Sequence, residues 1–255
     1  MTWPLFDDLA LDAVVTTRQG GVSSGSYASL NLALHVGDQE CAVLENRRRA
    51  LAALDATFDE LVVANQVHGA TVTVVGPGDA GRGARALADA IDASDAMVTR
   101  SPDIVLAILV ADCAPVVLVD PEARLLGCAH AGWRGALGGV LEATIDSMTS
   151  IGADRSRLYA GLGPTVGPTA YEVGPEVAEA ATRRLGDATR WLTAGRQGHW
   201  WFDLPGAVHE ILRRAGIAEE RIAASELDTG AQGPFYSARA QARCGRFAVL
   251  ARLVP

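Results

Sequence analysis

One stretch of the chain, residues 104–151, constrains the fold more than any other. Three apolar runs, at 104–110, 116–119 and 125–129, are separated by short polar turns. Apolar runs of this length between turn residues are typical of buried strands. Gly132 and Gly135 then end the last run, and residues 136–151 predict a helix. We therefore expect adjacent strands that lead through a glycine turn into a helix.

Reactive side chains stand where these predicted strands end. Asp112 and Cys113 follow the first run, and His130 and Arg134 follow the third. A carboxylate, a thiol, an imidazole and a guanidinium at the ends of buried strands indicate a functional site rather than packing. The turn into the helix also leaves free backbone N–H groups beside Arg134, and such groups favour an anion.

The rest of the chain predicts strands in pairs between helices. Further strands are indicated at 12–17, 61–64, 71–75, 96–99, 157–161, 200–204 and 247–254, and further helices at 39–54, 175–185 and 205–215. Residues 71–75 are the expected hairpin partner of 61–64. Paired strands favour an α+β class over a doubly wound parallel sheet. With no linker or repeat, residues 1–255 predict a single-domain sandwich of mixed β-sheet with flanking helices.

Charge and cysteine content exclude several classes of protein. A net charge of −8 over 255 residues argues against general binding to nucleic acid or to an anionic membrane, although a few arginines can still hold a small anion. The longest apolar run, 104–111, is too short to span a bilayer. Four cysteines without paired spacing, and an N-terminus unlike a signal peptide, predict free or metal-bound thiols and a cytoplasmic location.

Two histidines and one cysteine occupy comparable positions. His68 and His130 each follow a predicted strand beside glycine, and Cys113 lies in a third such turn. Two imidazoles and a thiolate suit zinc, and three protein ligands leave a fourth position for water or substrate. The structural alternative is that the histidines cap turns and Cys113 is a small buried hydrophobe. Cys128, on the same strand face as His130, competes for the ligand role, and the sequence does not separate the two thiols.

Two other metal-enzyme patterns do not fit the sequence. His209 and Glu210 lie on a predicted helix as in zinc proteases, but Arg213 stands where a second histidine is required. Five histidines without a His-x-His pair cannot fill several copper centres. A zinc protease and a multicopper laccase are therefore both disfavoured, and copper is less expected than zinc.

A series of short motifs runs through the chain. The central ones are Asn-Gln-Val-His-Gly at 65–69, Ala-Asp-Cys-Ala-Pro at 111–115, His-Ala-Gly-Trp-Arg-Gly at 130–135, and Gly-Leu-Gly-Pro at 161–164 with Tyr-Glu-Val-Gly at 171–174. Others are Thr-Arg-Gln-Gly-Gly-Val-Ser at 17–23, Ser-Leu-Asn-Leu at 29–32, Asn-Arg at 46–47, Ser-Asp-Ala-Met-Val-Thr at 94–99, Tyr-Ser-Ala-Arg at 236–239 and Cys-Gly-Arg at 244–246. In this order they resemble the YfiH-type family of laccase-domain, or polyphenol-oxidase-like, proteins. One departure is Leu-Asp-Thr at 227–229, where relatives usually carry Cys-Thr.

The resemblance implies a site and an activity. It implies zinc held by His68, Cys113 and His130, which favours Cys113 over Cys128, and it implies a functional role for Arg47 near the site. It also implies phosphorolysis of adenosine, inosine and methylthioadenosine to free base and ribose 1-phosphate or its methylthio analogue, with adenosine deamination. Some relatives are described instead as polyphenol oxidases, and bacterial ones as editing hydrolases of peptidoglycan precursors.

Roles for the remaining residues follow from the chemistry of phosphorolysis. Attack of phosphate on C1′ needs a cationic cradle, for which we expect Arg47, Arg134 and Arg18. Asn31 and Gln66, both in matched motifs, are predicted to contact the substrate.

Asp112 is expected to orient His68 or His130, or else to move a proton beside Cys113. The predicted catalytic residues are thus Arg47, Asp112 and Cys113. Purine nucleosides and inorganic phosphate are the expected partners, and the chain is expected to be a monomer or a weak homodimer. A peptidoglycan-precursor hydrolase is the alternative function, and a polyphenol oxidase is the least favoured.

Overall fold

A computed structural model describes residues 1–230 and 233–254. In chain order its strands are β1 (Leu11–Val15), β2 (Leu61–Val63), β3 (Val72–Val74), β4 (Ala96–Thr99), β5 (Val105–Val110), β6 (Ala114–Asp120), β7 (Leu125–Ala131), β8 (Tyr159–Leu162), β9 (Glu172–Val173), β10 (Leu192–Ala194), β11 (Trp200–Phe202), β12 (Ile222–Ala224) and β13 (Phe247–Leu253). The α-helices are α1 (Glu40–Leu51), α2 (Trp133–Gly138), α3 (Val140–Ser150), α4 (Pro175–Leu185) and α5 (Leu204–Arg214).

The strands form three sheets. The largest has six strands in the order β12-β8-β6-β7-β4-β3, and its centre is the antiparallel β6–β7 hairpin. A four-stranded sheet has the order β1-β13-β5-β2, and a small antiparallel sheet has the order β10-β11-β9. Parallel pairs (β2 with β5, β3 with β4, and β8 with β12) make the two larger sheets mixed.

The two larger sheets face each other, and helices cover their outer faces. One apolar cluster lies between the sheets and includes Met97, Ile108, Val117 and Val249. A second cluster joins the opposite face of the six-stranded sheet to α3, α4 and α5, while a third joins the four-stranded sheet to α1. Strands buried on both faces read as continuous apolar runs. This explains why β5, β6 and β7 are buried along their whole length, and the predicted α+β class is confirmed.

Most predicted elements occur near their expected positions, but two expectations are wrong. The helix expected over 136–151 is two helices, because Gly139 adopts a left-handed φ of +95° between α2 and α3. The strand expected to form a hairpin with β2 is β3, which lies in the other sheet, parallel to β4. The short strands β9, β10 and β12 are not among the predicted elements.

Across residues 1–230 and 233–254 we find no helix with both the length and the apolar character needed to cross a membrane.

The close packing of β8 against the N-terminal segment gives a stability prediction. A Cβ added at Gly161 would lie 2.8 Å from ring atoms of Phe6 and 3.0 Å from Trp3. Because rigid rings cannot yield as a flexible side chain does, we expect Gly161→Ala to lower the free energy of unfolding by about 1–3 kcal/mol. Urea denaturation would measure this. Gly138→Ala, where nothing lies within 4 Å of the added atom, should be neutral or slightly stabilising.

Candidate functional site

Three side chains from separate parts of the chain meet at one end of the six-stranded sheet. His68 lies in the loop between β2 and β3, Cys113 in the turn between β5 and β6, and His130 in β7. Their ligand atoms all lie within 4.8 Å of one another, and the two imidazole rings are 4.7 Å apart between centroids. The antiparallel register, which pairs Pro115 with His130, places Cys113 beside the end of β7.

The position of His130 differs from the sequence-based expectation. It was expected in a turn after its strand, but β7 continues to Ala131 and includes it. His130 is only 3% exposed, whereas His68 is exposed and Cys113 is intermediate. The site is therefore closed on the side of the sheet and open on the side of His68.

Asp95, at the start of β4, organises two of these three residues. Its Oδ1 atom lies 2.8 Å from Nδ1 of His130 and accepts a hydrogen bond of 2.9 Å from the backbone N–H of His68. Its Oδ2 atom accepts from the N–H groups of Gly69 at 2.6 Å and Val67 at 3.2 Å. Asp95 is completely buried. One carboxylate thus holds the 67–69 loop, in which His68 has a left-handed φ of +62°, against β7.

The same contact sets the tautomer of His130. A carboxylate accepts hydrogen bonds, so Nδ1 of His130 carries a proton, and Nε2, the nitrogen that remains for the contact with Cys113, is the one that would bind a metal. Burial alone would raise the pKa of Asp95, but the hydrogen bonds from His130 and from the backbone of Gly69 lower it overall. The expectation that Asp112 orients the imidazole is therefore wrong for His130, because Asp95 does so.

The structure also separates the two candidate thiols. Burial opposes ionisation of Cys113, but the neighbouring charge and hydrogen bond of His130, together with His68, lower its pKa overall. Cys128 is completely buried between the two sheets, and desolvation raises its pKa. A thiolate is the form that binds metal, so Cys113 has the environment of a ligand and Cys128 that of a packing residue.

This donor set fits zinc. Zinc takes nitrogen and sulfur ligands at about 2.0–2.3 Å, so atoms already within 4.8 Å of one another need only small movements to share one ion. Among residues 1–230 and 233–254, this is the only group of three or more His, Cys, Asp or Glu side chains close enough to hold a metal.

A cavity of about 500 Å³ opens over the three side chains. Its wall includes the aromatic rings of Trp133 and Tyr171 and three guanidinium groups, those of Arg134, Arg239 and Arg246. Burial, followed by the charge of Cys113, raises the pKa of Tyr171 to about 12, so its phenol stays protonated at neutral pH. The cavity therefore combines flat apolar surface, positive charge and a hydroxyl donor beside the metal-binding group.

Asp112 has a different position from the one expected. It adopts a left-handed φ of +87°, and its carboxylate accepts from the hydroxyl of Thr229 at 2.7 Å and from the backbone N–H of Arg239 at 2.6 Å. Both oxygens are thus engaged away from the imidazoles. Asp228 and Thr229 belong to the segment in which relatives usually carry Cys-Thr. Thr229 makes the contact with Asp112, and Asp228 accepts from the N–H groups of Gly167 and Gly230.

Arg47 is the inward-turned arginine of α1, but it does not line the cavity. Its guanidinium donates to the carbonyl oxygens of Leu32 at 2.8 Å, Gly83 at 2.6 Å and Ala84 at 2.7 Å, and the residue is 4% exposed. Burial lowers its pKa to about 10. The expectation of a catalytic contact for Arg47 is not supported, because its donors are used to join α1 to two loops.

The predicted substrate-binding residues divide into two groups. Gln66 and Arg134 line the cavity, although the amide of Gln66 is paired with the backbone of Leu109 in both directions at 2.9 Å. Asn31 is completely buried and Arg18 donates to the carbonyl of Ala28, and neither lines the cavity. Of the four predicted substrate-binding residues, Arg134 and Gln66 therefore line the cavity, and Asn31 and Arg18 do not.

Several residues of the site could have been found only weakly from the sequence. Asp95 follows a predicted turn, and Arg239 and Arg246 lie in the C-terminal motifs, but none of them has a spacing that ties it to the histidines. Tyr171 lies in the glycine- and proline-rich segment after β8. All of these residues lie in motifs that match the family, and this is the one indication the sequence gives of their importance. Their roles depend on contacts between residues that are far apart in the sequence.

Comparison with known proteins gives consistent matches. Residues 12–254 match the family model described as "Multi-copper polyphenol oxidoreductase laccase". A Deinococcus radiodurans protein named purine nucleoside phosphorylase is 38% identical over 92% of this chain and 86% of its own length. A Streptomyces griseus protein named purine nucleoside phosphorylase ORF3 is 40% identical over 91% and 90%. The crystal structure of YlmD from Geobacillus stearothermophilus superposes with a TM-score of 0.94 at 34% identity, covering 99% of this chain and 94% of that one.

The contacts of Asp95 predict its effect on metal binding. In Asp95→Asn, an NH₂ group would face the backbone N–H donors or His130, and it could not accept their hydrogen bonds. We therefore expect this variant to bind zinc roughly 10–100-fold more weakly. Competition with a chromogenic chelator would measure the affinity. Asp92→Asn, an exposed change three residues away, is the control. Equal affinity in both variants would contradict the positioning role of Asp95.

We expect opposite results when the same substitution, cysteine to serine, is made at Cys113 and at Cys128. Cys113→Ser should lose most bound zinc, because a hydroxyl is a poor substitute for a thiolate ligand, while Cys128→Ser should keep it. Cys128→Ser should instead lower stability, since it buries a hydroxyl between the sheets. Metal analysis after dialysis, with thermal unfolding of both variants, checks this. Loss of metal from the Cys128 variant alone would show that Cys128, and not Cys113, is the ligand.

Proposed function

The chain belongs to the YfiH-type laccase-domain family, and from this we propose that it is a zinc-dependent purine nucleoside phosphorylase. The observation that carries the proposal is the placement of His68, Cys113 and His130 on the floor of a cavity walled by arginines and aromatic rings. Relatives named purine nucleoside phosphorylase, aligned over nearly the whole chain, support it.

The proposed substrates are adenosine, inosine and methylthioadenosine, together with inorganic phosphate. A phosphate oxygen forms a bond to C1′ while the bond from C1′ to the purine nitrogen breaks. The electron pair of that bond goes to the purine, which takes up a proton, and the products are free base and ribose 1-phosphate or its methylthio analogue. The faces of Trp133 and Tyr171 suit stacking against a purine, and positive charge on the cavity wall offsets the charge of phosphate.

The metal group suits a second activity, adenosine deamination. When bound, zinc would supply Lewis acidity, which lowers the pKa of water at the site. Asp95 holds the proton on Nδ1 of His130 and so keeps the other nitrogen available. The protonated phenol of Tyr171 can donate a hydrogen bond to a substrate in the cavity. Together these groups orient a nucleoside beside the metal-binding residues.

A polyphenol oxidase with several coppers is less well supported, although the family description names that activity. Such enzymes need several metal centres with their own ligand sets. Within the described part of the chain, His68, Cys113 and His130 form the only group able to hold a metal. We therefore place zinc ahead of copper as the proposed cofactor.

A peptidoglycan-precursor hydrolase is the second candidate function. A neighbouring cavity of about 320 Å³ shares Trp133, Tyr171 and Arg239 with the first and extends to the start of α4. This gives room for a substrate longer than a nucleoside, such as a peptide attached to a sugar. Amide hydrolysis at the same metal-binding group would then replace nucleoside cleavage.

A nucleoside panel tests the proposed function directly. Zinc-loaded protein incubated with adenosine, inosine or methylthioadenosine should release free base only when phosphate is present, and adenosine should also give some inosine without phosphate. Chromatography of the products would measure both reactions. Cys113→Ser should lower both rates by at least about 100-fold through loss of the ligand, and Cys128→Ser serves as control.

Absence of phosphate-dependent base release by the zinc-loaded protein would contradict the phosphorylase proposal. Cleavage of a serine-containing peptidoglycan precursor under the same conditions, without nucleoside turnover, would establish the second candidate in its place.

A further inference from the structure

Within residues 1–230 and 233–254, three arginines on the cavity wall have no acidic partner in an ion pair. Ion pairs between described residues use many of the arginines of the chain, but none involves Arg134, Arg239 or Arg246. The carboxylate on the same wall, Asp112, has both oxygens occupied by Thr229 and a backbone N–H. Three arginines against this one carboxylate leave a local excess of positive charge on the cavity wall, in a chain with a net charge of −8.

Arg239 is fixed relative to the metal-binding group through Asp112. The backbone N–H of Arg239 donates to Asp112 at 2.6 Å, and Asp112 directly precedes Cys113. The guanidinium lies 4.9 Å from the centroid of the Tyr171 ring. This cation–π contact holds the guanidinium beside the phenol ring without pairing it with a carboxylate.

Arg246 is fixed through Asn31. The completely buried side chain of Asn31 accepts from the backbone N–H of Arg246 at 2.9 Å. One terminal nitrogen of Arg246 donates to the carbonyls of Cys244 and Gly245 at 3.0 Å. Within the described residues its other terminal nitrogen has no partner, so part of the planar donor fork stays available. Asn31 thereby gains a positioning role in place of the predicted substrate contact.

Arg134 is the third arginine that lines the cavity. It is exposed at the start of α2 and lies 4.4 Å from the centroid of the Trp133 ring. The three guanidinium groups thus come from two segments that are far apart in the sequence. Arg134 follows β7, which carries His130. The segment with Arg239 and Arg246 is hydrogen-bonded to Asp112, the residue before Cys113.

We propose that Arg134, Arg239 and Arg246 form an anion subsite for the phosphate group of the co-substrate; the identity of the anion rests on the proposed phosphorylase function. The planar donor forks of arginine match the oxygens of phosphate and bind them in pairs. Asp112 and Asn31 are positioning residues that set the distance between this subsite and the metal-binding group.

Phosphate binding by the zinc-loaded protein tests the subsite without any turnover. Equilibrium dialysis with radiolabelled inorganic phosphate should give a dissociation constant that rises at least about tenfold in Arg239→Gln and in Arg246→Gln, since each loses charge-assisted hydrogen bonds. Arg243→Gln is the matched control, because Arg243 lies on the same segment but does not line the cavity. Acetate at equal concentration should compete poorly, whereas effective competition by acetate would assign the subsite to a carboxylate and overturn the proposal.

The outcomes separate this inference from the proposed function. Zinc content should be the same in all three variants, so that loss of phosphate binding reports on the arginines themselves. Phosphate binding that is equal in wild type and both cavity variants would overturn the subsite, even if nucleosides are cleaved. Arginine-dependent phosphate binding without nucleoside cleavage would keep the subsite and reject the phosphorylase.

Turnover gives a second readout if the protein is active. In Arg239→Gln and Arg246→Gln the KM for phosphate should rise at least about tenfold, while the KM for the nucleoside changes little. An unchanged KM for phosphate in both variants would contradict the subsite.

Discussion

The carboxylate of Asp95 is the interaction on which the rest of the site depends. It is completely buried and accepts four hydrogen bonds, three from the backbone of the 67–69 loop and one from His130. A buried carboxylate is stable only when its oxygens are satisfied in this way. The loop and β7 must therefore adopt the positions that satisfy it, and those positions bring His68 and His130 together.

The sheets supply the rigid frame for this contact. Strands β5, β6 and β7 are buried on both faces, because the second sheet packs on one side and helices pack on the other. Functional groups held at the ends of such strands have little freedom to move. Cys113 lies in the turn that joins two of these strands, so its distance from His130 follows from strand register rather than from a flexible loop.

A second layer of hydrogen bonds links the group of His68, Cys113 and His130 to the cavity wall. Asp112 connects the Cys113 turn to Arg239, and Asn31 connects the N-terminal region to Arg246. Arg47 joins α1 to two loops in a similar way. Asp112 and Asn31 thus hold residues that line the cavity, whereas Arg47 binds the carbonyl groups of Leu32, Gly83 and Ala84, which do not line it.

The sequence alone allowed us to predict the α+β class, the central strands, most helices and the family, because burial on both faces and turn chemistry leave local patterns along the chain. It also singled out His68, Cys113 and His130, since each stands beside a turn at the end of an apolar run. The folded chain adds three observations: Cys113 and not the buried Cys128 faces the two histidines, Asp95 holds both histidines in place, and Arg239 and Arg246 line the cavity. These arrangements depend on strand register and on hydrogen bonds between residues far apart in sequence, and neither leaves a periodic signal.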